Sequence, residues 1–327
     1  MQAMGELRLI KRFRAAAPRH PWVAVGPGQD CAILNWPGDR DLAFKIDQVV
    51  EGTHFVLQGP EAATPRQVGW KAMAKACSDI AAVGFWPVAA TVAVNLRRGS
   101  SEKLALGVYA GLQACCVRYS FALAGGDISV STKVGLSVVV SLLGEGPKGG
   151  AWLRKGAQCG DALLVTGRLG GSRRNGKHLR FKPRLEEARI IRQRLGAGVH
   201  ACIDVTDGLS RDLHHVCDES GCGAVVFEDS IPYFIPRKNA TCTSAALVEH
   251  AKCSKRTCVE SALGDGEDFE LLLAVEPNAA EDLIRGWRHR VPLTRIGSIQ
   301  PAHQGCVVVA GDGTRRAMHN VGYEHRP

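Results

Sequence analysis

Gly144-Glu145-Gly146-Pro147-Lys148-Gly149-Gly150 crowds four glycines and a proline into seven positions. Such a run punctuates a chain, and it divides the sequence into parts 1–146 and 147–327. Working back from it, Lys133 to Leu143 reads as a strand, and Phe121 to Ala124 as a short strand ending in Gly125-Gly126-Asp127. Ser101 to Tyr119 has helical spacing behind a Ser-Ser-Glu start suited to capping. Val88 to Leu96 is a strand. Pro65 to Ala82 is a helix, with Pro65 in its first turn, Gly84 at its end and Pro87 just beyond. Leu42 to Asp47 and Cys31 to Trp36 are strands, and Val23 to Val25 enters the turn Gly26-Pro27-Gly28-Gln29-Asp30. Gly5 to Arg14 has helical spacing.

Forward of the glycine run, the strands are Ala162 to Thr166, Cys202 to Val205, Ala224 to Phe227, Phe269 to Val275 and Cys306 to Val309. Helical spacing covers Leu185 to Leu195, Leu209 to Glu219 and Glu281 to Arg288. Strands with helices between them, in two parts, predict two α+β or α/β domains.

The chain has 327 residues, 45% hydrophobic and 22% charged, which is globular and not disordered composition. Aromatics make up only 6%, too few for a platform that stacks single-stranded nucleic acid. A net charge of +9 favours anionic partners, with nucleotides and phosphates the simplest class. The basic groups are scattered over Lys11 to Arg14, Arg173 to Lys182 and Lys252 to Arg256, so no nucleic-acid face is expected. Val134 to Leu143, the longest apolar stretch, is too short to cross a bilayer. No apolar region follows Lys11, Arg12 and Arg14, so no signal peptide is expected.

Twelve cysteines form no Cys-x-x-Cys pair, so the usual zinc and redox spacings are missing. Cys31, Cys77, Cys115, Cys202 and Cys306 lie in or beside apolar runs, as small hydrophobes do. Cys217/Cys222 and Cys253/Cys258 share a five-residue separation that leaves a disulfide or metal role open. Reduced thiols in a cytoplasmic protein are the expectation.

The aspartates carry the chemistry. Asp30 follows a glycine turn, Asp47 ends an apolar strand, and Asp127 follows two glycines at a strand end. Asp204 and Asp207 flank a strand-to-helix transition, and Asp79 lies on the helix before Gly84. Element ends are where scaffolds display functional groups. Magnesium takes hard oxygen ligands and bridges a few carboxylates to substrate phosphates. Taken singly, each acid has a plainer role: Asp207 as a helix cap, Asp79 as a partner of Lys75 one turn earlier. Thr206-Asp207-Gly208 starts a helix, where free N–H groups favour an anion. Gly170-Gly171-Ser172-Arg173-Arg174-Asn175-Gly176-Lys177 is either a phosphate-embracing loop or a surface loop, and is not a Walker A loop.

Seven motifs occur in order: Gly28-Gln29-Asp30-Cys31-Ala32; Asp47-Gln48-Val49-Val50-Glu51-Gly52-Thr53-His54-Phe55; Ser78-Asp79-Ile80-Ala81-Ala82-Val83-Gly84; Gly125-Gly126-Asp127; Arg154-Lys155-Gly156-Ala157 with Gly160-Asp161; Asp204-Val205-Thr206-Asp207-Gly208-Leu209; and Gly266-Glu267-Asp268-Phe269-Glu270-Leu271. The series resembles the thiamine-monophosphate kinase family, within the superfamily that includes aminoimidazole ribonucleotide synthetase and selenophosphate synthetase. The resemblance implies an α+β fold: an N-terminal domain with a mixed sheet that dimerises through that sheet, then a C-terminal α+β domain. It implies a cytoplasmic homodimer that binds ATP between its domains and transfers the γ-phosphate to thiamine monophosphate, with no covalent enzyme intermediate. By motif position, Asp30, Asp47, Asp79, Asp127, Asp204 and Asp207 would hold several magnesium ions. Gly126, Asp127, Arg154 and Thr206 would contact ATP. His54, Glu267 and Tyr323 would contact the substrate.

Three departures stand out. The family usually has Asp where Gln29 stands, Ser-Thr-Asp-Thr at Lys45-Ile46-Asp47-Gln48, and Val-Asn at Lys75-Ala76. Lys45 or Lys75 is therefore expected near a lost magnesium, with fewer metals and slower transfer as the consequence. The alternative is that Lys45 points away, since neighbours on a strand face opposite sides. Two further functions stay open: a paralogue that binds nucleotide without turnover, and a sister enzyme with another substrate.

Overall fold

The computed structural model describes residue 15 and residues 20–26, 28–234 and 255–323. The expected helix over Gly5 to Arg14 lies outside the described residues.

The first sheet contains β1 (Val23–Val25), β2 (Ala32–Leu34), β3 (Arg40–Val50), β4 (Trp86–Arg97), β5 (Ala122–Ser131) and β6 (Ser137–Pro147). Helix α1 (Pro65–Ala82) connects β3 to β4, and α2 (Glu102–Tyr119) connects β4 to β5. The strand order is β1-β2-β3-β6-β4-β5. Only β4 and β5 run parallel, because a helical crossover returns the chain in the same direction.

Thr64 starts α1 with a capping box: its side chain accepts from Gln67 N while Gln67 caps the Thr64 amide. The helix is buried along most of its length, from Val68 to Ala82. Gly69 and Gly111 let α1 and α2 approach backbone to backbone. A Cβ at Gly69 would lie 1.9 Å from Val108 O, and one at Gly111 would lie 2.0 Å from Arg66 O.

The glycine run differs from its expectation. β6 continues through Gly144 to Pro147, pairing along β3 as far as Arg40. Here the glycines make room. A Cβ at Gly144 would lie 2.9 Å from Ile80, and one at Gly146 would lie 2.1 Å from the Phe85 ring. The chain then enters the second sheet at Ala162.

The second sheet contains β7 (Ala162–Thr166), β8 (Val199–Val205), β9 (Cys222–Phe227), β10 (Glu270–Val275), β11 (Leu293–Pro301), β12 (Cys306–Val309) and β13 (Arg315–Ala317). Its helices are α3 (Leu185–Leu195), α4 (Leu209–Ser220), α5 (Lys255–Gly264) and α6 (Pro277–Arg285). The order is β13-β12-β9-β11-β7-β10-β8, antiparallel except for β9 with β12. Both sheets are mixed and the class is α+β.

One apolar core joins the two parts. It includes Met73, Cys77 and Ile80 of α1 together with Leu164, Leu185, Phe269 and Leu271. Each such side chain, fully buried, contributes about 1.5–3 kcal/mol. Trp70 Nε1 donates to Phe181 O at 2.7 Å across the same contact. A second core lies under α4 and α5 and contains Leu209, Leu213 and Val259. Phe44 and Ile46 of β3 are exposed, as are Ile128 and Val130 of the edge strand β5. Among the described residues the cysteines are free thiols, and no helix is long and apolar enough to cross a membrane. Cys242 and Cys253 lie outside the described residues.

Candidate active site

A cavity of about 480 Å³ opens where α1 and β3 face the second sheet. Strand alternation turns Lys45 and Asp47 of β3 to the same side, away from Phe44 and Ile46. Helical spacing puts Lys75 and Asp79 one turn apart on one face of α1. The transition from β8 into α4 supplies Asp204, Thr206 and Asp207, and the first turns of α4 add Arg211, Asp212 and His215. Thr53, His54, Arg154, Arg173, Gly266, Glu267 and Tyr323 also line the cavity.

Asp30, Asp79 and Asp204 converge, each offering a carboxylate oxygen within 4.8 Å of the other two. All three are buried. Asp30 Oδ2 and Asp204 Oδ2 are buried without a hydrogen-bond partner. Burial pushes the Asp204 carboxyl up to about 6, and the neighbouring Asp30 adds to the shift. Burial likewise raises Asp79, with Asp204, Asp47 and Asp30 adding to the rise and Lys45 opposing it. Unsatisfied carboxylate oxygens crowded together in a buried place fit a hard divalent cation. Asp207, Asp212 and His215 also bring ligand atoms within 4.8 Å of one another, with only Asp212 buried.

The chain's own cations already engage part of this set. Lys45 Nζ donates to Asp79 Oδ1 at 2.7 Å, and Lys75 Nζ lies 2.8 Å from Asp47 Oδ1. Burial works against the Lys45 charge, but Asp79 and Asp47 outweigh it and hold the ammonium above its ordinary range. Lys45 thus points into the cavity. Arg154 grips Asp30 Oδ1 through Nε at 3.0 Å and Nη2 at 2.5 Å. Gln29 accepts from Arg154 N at 2.7 Å through its amide oxygen.

Glu267 sits on the loop entering β10 with φ 65, and Phe269 follows with φ 52. Non-glycine residues persist in this region only where their surroundings hold them. Here the hold is visible. Glu267 N donates to Thr206 O at 2.6 Å, Phe269 N to Val205 O at 2.8 Å, and the Phe269 ring stacks on Phe181 at 3.7 Å. The Glu267 carboxylate meets Lys71 Nζ at 2.5 Å and Arg173 Nε at 3.4 Å. Lys71 also donates to His54 O at 2.7 Å, while His54 Nδ1 accepts from Val50 N at 3.1 Å.

The amide donors at two places read as anion-binding have acceptors within the chain. Thr206 N and Asp207 N both donate to Asp212 Oδ2, at 2.9 and 3.0 Å, so these amides have an internal acceptor. In the loop over residues 170–177, Gly170 N donates to Asp268 and Gly171 N to Asp265, while Ser172 Oγ donates to Asp268. These donors are satisfied within the chain, and Arg173 alone of this loop reaches the cavity wall.

Of the sequence candidates, Asp47, His54, Asp79, Arg154, Asp204, Thr206, Asp207, Glu267 and Tyr323 line the cavity. Asp30 joins through its cluster. Gly126 and Asp127 are exposed on β5, opposite Val92 and Ala93, and are not part of that wall. Sequence reasoning missed Lys71, Arg173 as a bridge, Arg211, Asp212 and His215. Lys71 had a signal: a lone charge inside Gly69-Trp70-Lys71-Ala72-Met73, an otherwise apolar helical run.

Residues 28–145 match the AIR synthase related protein N-terminal domain, and residues 133–309 match the corresponding C-terminal domain. The fold and its acidic cavity thus place the molecule in that two-part class. The chain is 38% identical to a thiamine-monophosphate kinase of Rhodopirellula baltica, over 90% of this chain and 89% of the relative. It is 32% identical to one from Salmonella typhimurium, over 99% and 98%. A solved structure of AaThiL complexed with AMPPCP and TMP superimposes with a TM-score of 0.79 at 25% identity, covering 98% of this chain and 97% of that one. The chain belongs to the thiamine-monophosphate kinase family.

Proposed function

We propose that this protein phosphorylates thiamine monophosphate with ATP, giving thiamine diphosphate and ADP by direct in-line transfer. A terminal phosphate oxygen of thiamine monophosphate bonds to the γ-phosphorus while the bond from that phosphorus to the β,γ-bridging oxygen breaks. That oxygen leaves on ADP. The observation that carries the reading is the buried convergence of Asp30, Asp79 and Asp204, with two oxygens lacking partners. The relatives' name, and the AMPPCP and TMP bound by AaThiL, supply the substrate classes.

Asp30 and Asp204 would hold magnesium, with Asp79 at the edge of that place and Asp207 in the same proposed ligand set, whereas Lys75 engages Asp47, and Asp127 lies outside the cavity wall. Magnesium, when bound, neutralises charge on the transferring phosphoryl group. Arg154 and Arg173 bring guanidinium charge to the cavity wall, where it would offset phosphate charge. Thr206 is a proposed nucleotide contact, and Gly126, outside the cavity wall, is left out of that set. His54, Glu267 and Tyr323 would orient the thiamine phosphate, and Lys71 fixes the Glu267 carboxylate. No side chain is needed as nucleophile or general base, because an ionised phosphate oxygen attacks and positioning does the rest.

Two domain units, 1–146 and 147–327, belong to the same proposal, as does a cytoplasmic homodimer. The exposed Phe44 and Ile46 on the uncovered side of β3 support association through the first sheet.

The test is magnesium-dependent ADP release with and without thiamine monophosphate. ADP that depends on thiamine monophosphate supports the proposal. Nucleotide binding without turnover would identify a non-catalytic paralogue, and ADP release indifferent to thiamine monophosphate would identify a sister enzyme.

A further inference from the structure

Lys45, Asp47, Lys75 and Asp79 form a crossed square. Two come from one face of β3 and two from one face of α1, and each ammonium reaches the carboxylate of the other element. Lys45 Nζ is 2.7 Å from Asp79 Oδ1, and Lys75 Nζ is 2.8 Å from Asp47 Oδ1 with Gln48 O at 3.5 Å. A magnesium ion needs those same carboxylate oxygens without a competing donor. We propose that Lys45 and Lys75 are resident cations of the nucleotide site, taking over the charge of divalent ions that Asp47 and Asp79 would otherwise bind. The inference rests on the kinase reading for the identity of the nucleotide, but not for the ion count.

Three observations support the square as a built feature. Its four members line one cavity. Both lysine side chains are largely covered, at 22% and 21% exposure, where a stray surface lysine would extend into water. Asp79 is shared between the square and the acidic cluster, so Lys45 sits at the edge of the place where an ion fits. Within the acidic cluster the oxygens left without partners are Asp30 Oδ2 and Asp204 Oδ2. Divalent-ion binding in this part of the cavity is therefore concentrated at Asp30 and Asp204. An ammonium is a compact point charge that can offset phosphate charge, yet it cannot bridge oxygens octahedrally.

Manganese serves as the probe, because its free ion gives a paramagnetic signal that is lost on binding. Bound Mn²⁺ per chain is counted with and without AMPPCP for the native protein, Lys45→Ser, Lys75→Ala and the charge-preserving Lys45→Arg. The expected result is at least one additional Mn²⁺ in Lys45→Ser or Lys75→Ala, and the native count in Lys45→Arg. Thermal melts accompany the count. Lys45→Ser leaves Asp79 buried without its ammonium, so Mn²⁺ should raise its melting temperature more than that of the native protein. Lys75→Ala, whose partner Asp47 is 13% exposed, provides a second variant if Lys45→Ser folds poorly. An unchanged Mn²⁺ count in Lys75→Ala and in any folded Lys45→Ser overturns the proposal. Failure of the native protein to bind AMPPCP would instead count against the kinase reading, while the nucleotide-free Mn²⁺ count still decides the lysines.

Discussion

Lys71 Nζ lies 2.5 Å from Glu267 Oε1, joining α1 to the loop before β10 across 196 positions of sequence. Lys71 is fully buried, and burial lowers it to about 8 despite the opposing pull of Glu267. Removing one member of a buried pair leaves an uncompensated charge and costs about 3–5 kcal/mol. Glu267 keeps Arg173 at 3.4 Å, so Lys71→Met should destabilise the protein by about the lower end of that range in denaturant melts. Adding Glu267→Gln should recover part of the loss, because the orphaned charge goes with it. A double variant no more stable than Lys71→Met would show that the pair is not coupled.

Gly111 allows a prediction of opposite sign to helix propensity. In an exposed helix interior, Gly to Ala stabilises by about 1 kcal/mol. Here the new methyl would lie 2.0 Å from Arg66 O and 2.6 Å from Trp70 N, both backbone atoms that move only if the helices part. Gly111→Ala should destabilise by about 1–3 kcal/mol. It should also weaken nucleotide binding, because α1 carries Lys75 and Asp79. A stabilised Gly111→Ala would contradict the close helix contact.

How much of this was legible depends on where the signal sits. Helix α1 could be read to its ends because Pro65 and Gly84 mark it locally and its cap is in the adjacent residues. Strand β11 was not read, because Arg295, Gly297 and Pro301 interrupt it. Yet it sits centrally between β7 and β9, and a Cβ at Gly297 would lie 1.9 Å from Val225 O. That glycine serves a neighbour distant in sequence. Gly144 and Gly146 misled for the same reason: they accommodate Ile80 and Phe85, and only the folded contact shows it. In the site, Asp30 and Asp204 could be found at element ends, whereas Asp47 and Asp127, read as strand ends, lie inside β3 and β5, and no spacing shows that Asp30, Asp79 and Asp204 meet. Nor does local sequence reveal that Asp212 would take the amides of Thr206 and Asp207, or that Lys45 and Lys75 would cross-pair.

Cys306 should be the reactive thiol of the second sheet. It is half-buried at the start of β12. The Cys217 thiol and then His214 favour its thiolate, against the cost of burial, and lower its pKa. His214 Nδ1 is 2.7 Å from Ser210 O, which leaves its other nitrogen for Cys306. Thiolates react and thiols do not. Mass-spectrometric mapping of brief iodoacetamide labelling at neutral pH should find Cys306 modified ahead of the exposed Cys159. His214→Ala should slow Cys306 severalfold and leave Cys159 alone. Equal rates at both cysteines would remove the basis for an activated thiol.

His178 determines the sign of an acid effect on stability. It is buried beside the 170–177 loop, with Nδ1 3.1 Å from Ser172 O. Burial, then the nearby Lys71 charge, lowers it from 6.5 to about 4. Between those values the unfolded chain holds a proton on this residue that the folded chain does not. Stability therefore rises with pH across that window and is lost as pH falls through it. At about 1.4 kcal/mol per unit, the ceiling is about 3 kcal/mol. Asp268 and Asp204, both raised to about 6 chiefly by burial, act in the opposite direction over part of the same range, so the native profile alone mixes these effects. The difference between native and His178→Gln melts isolates the histidine, since glutamine keeps a donor for Ser172 O and cannot take up the proton. That difference should shift in favour of His178→Gln as pH falls from about 7 to 5, approaching 2 kcal/mol. A difference independent of pH would mean that His178 takes up its proton as readily in the folded chain as in the unfolded one.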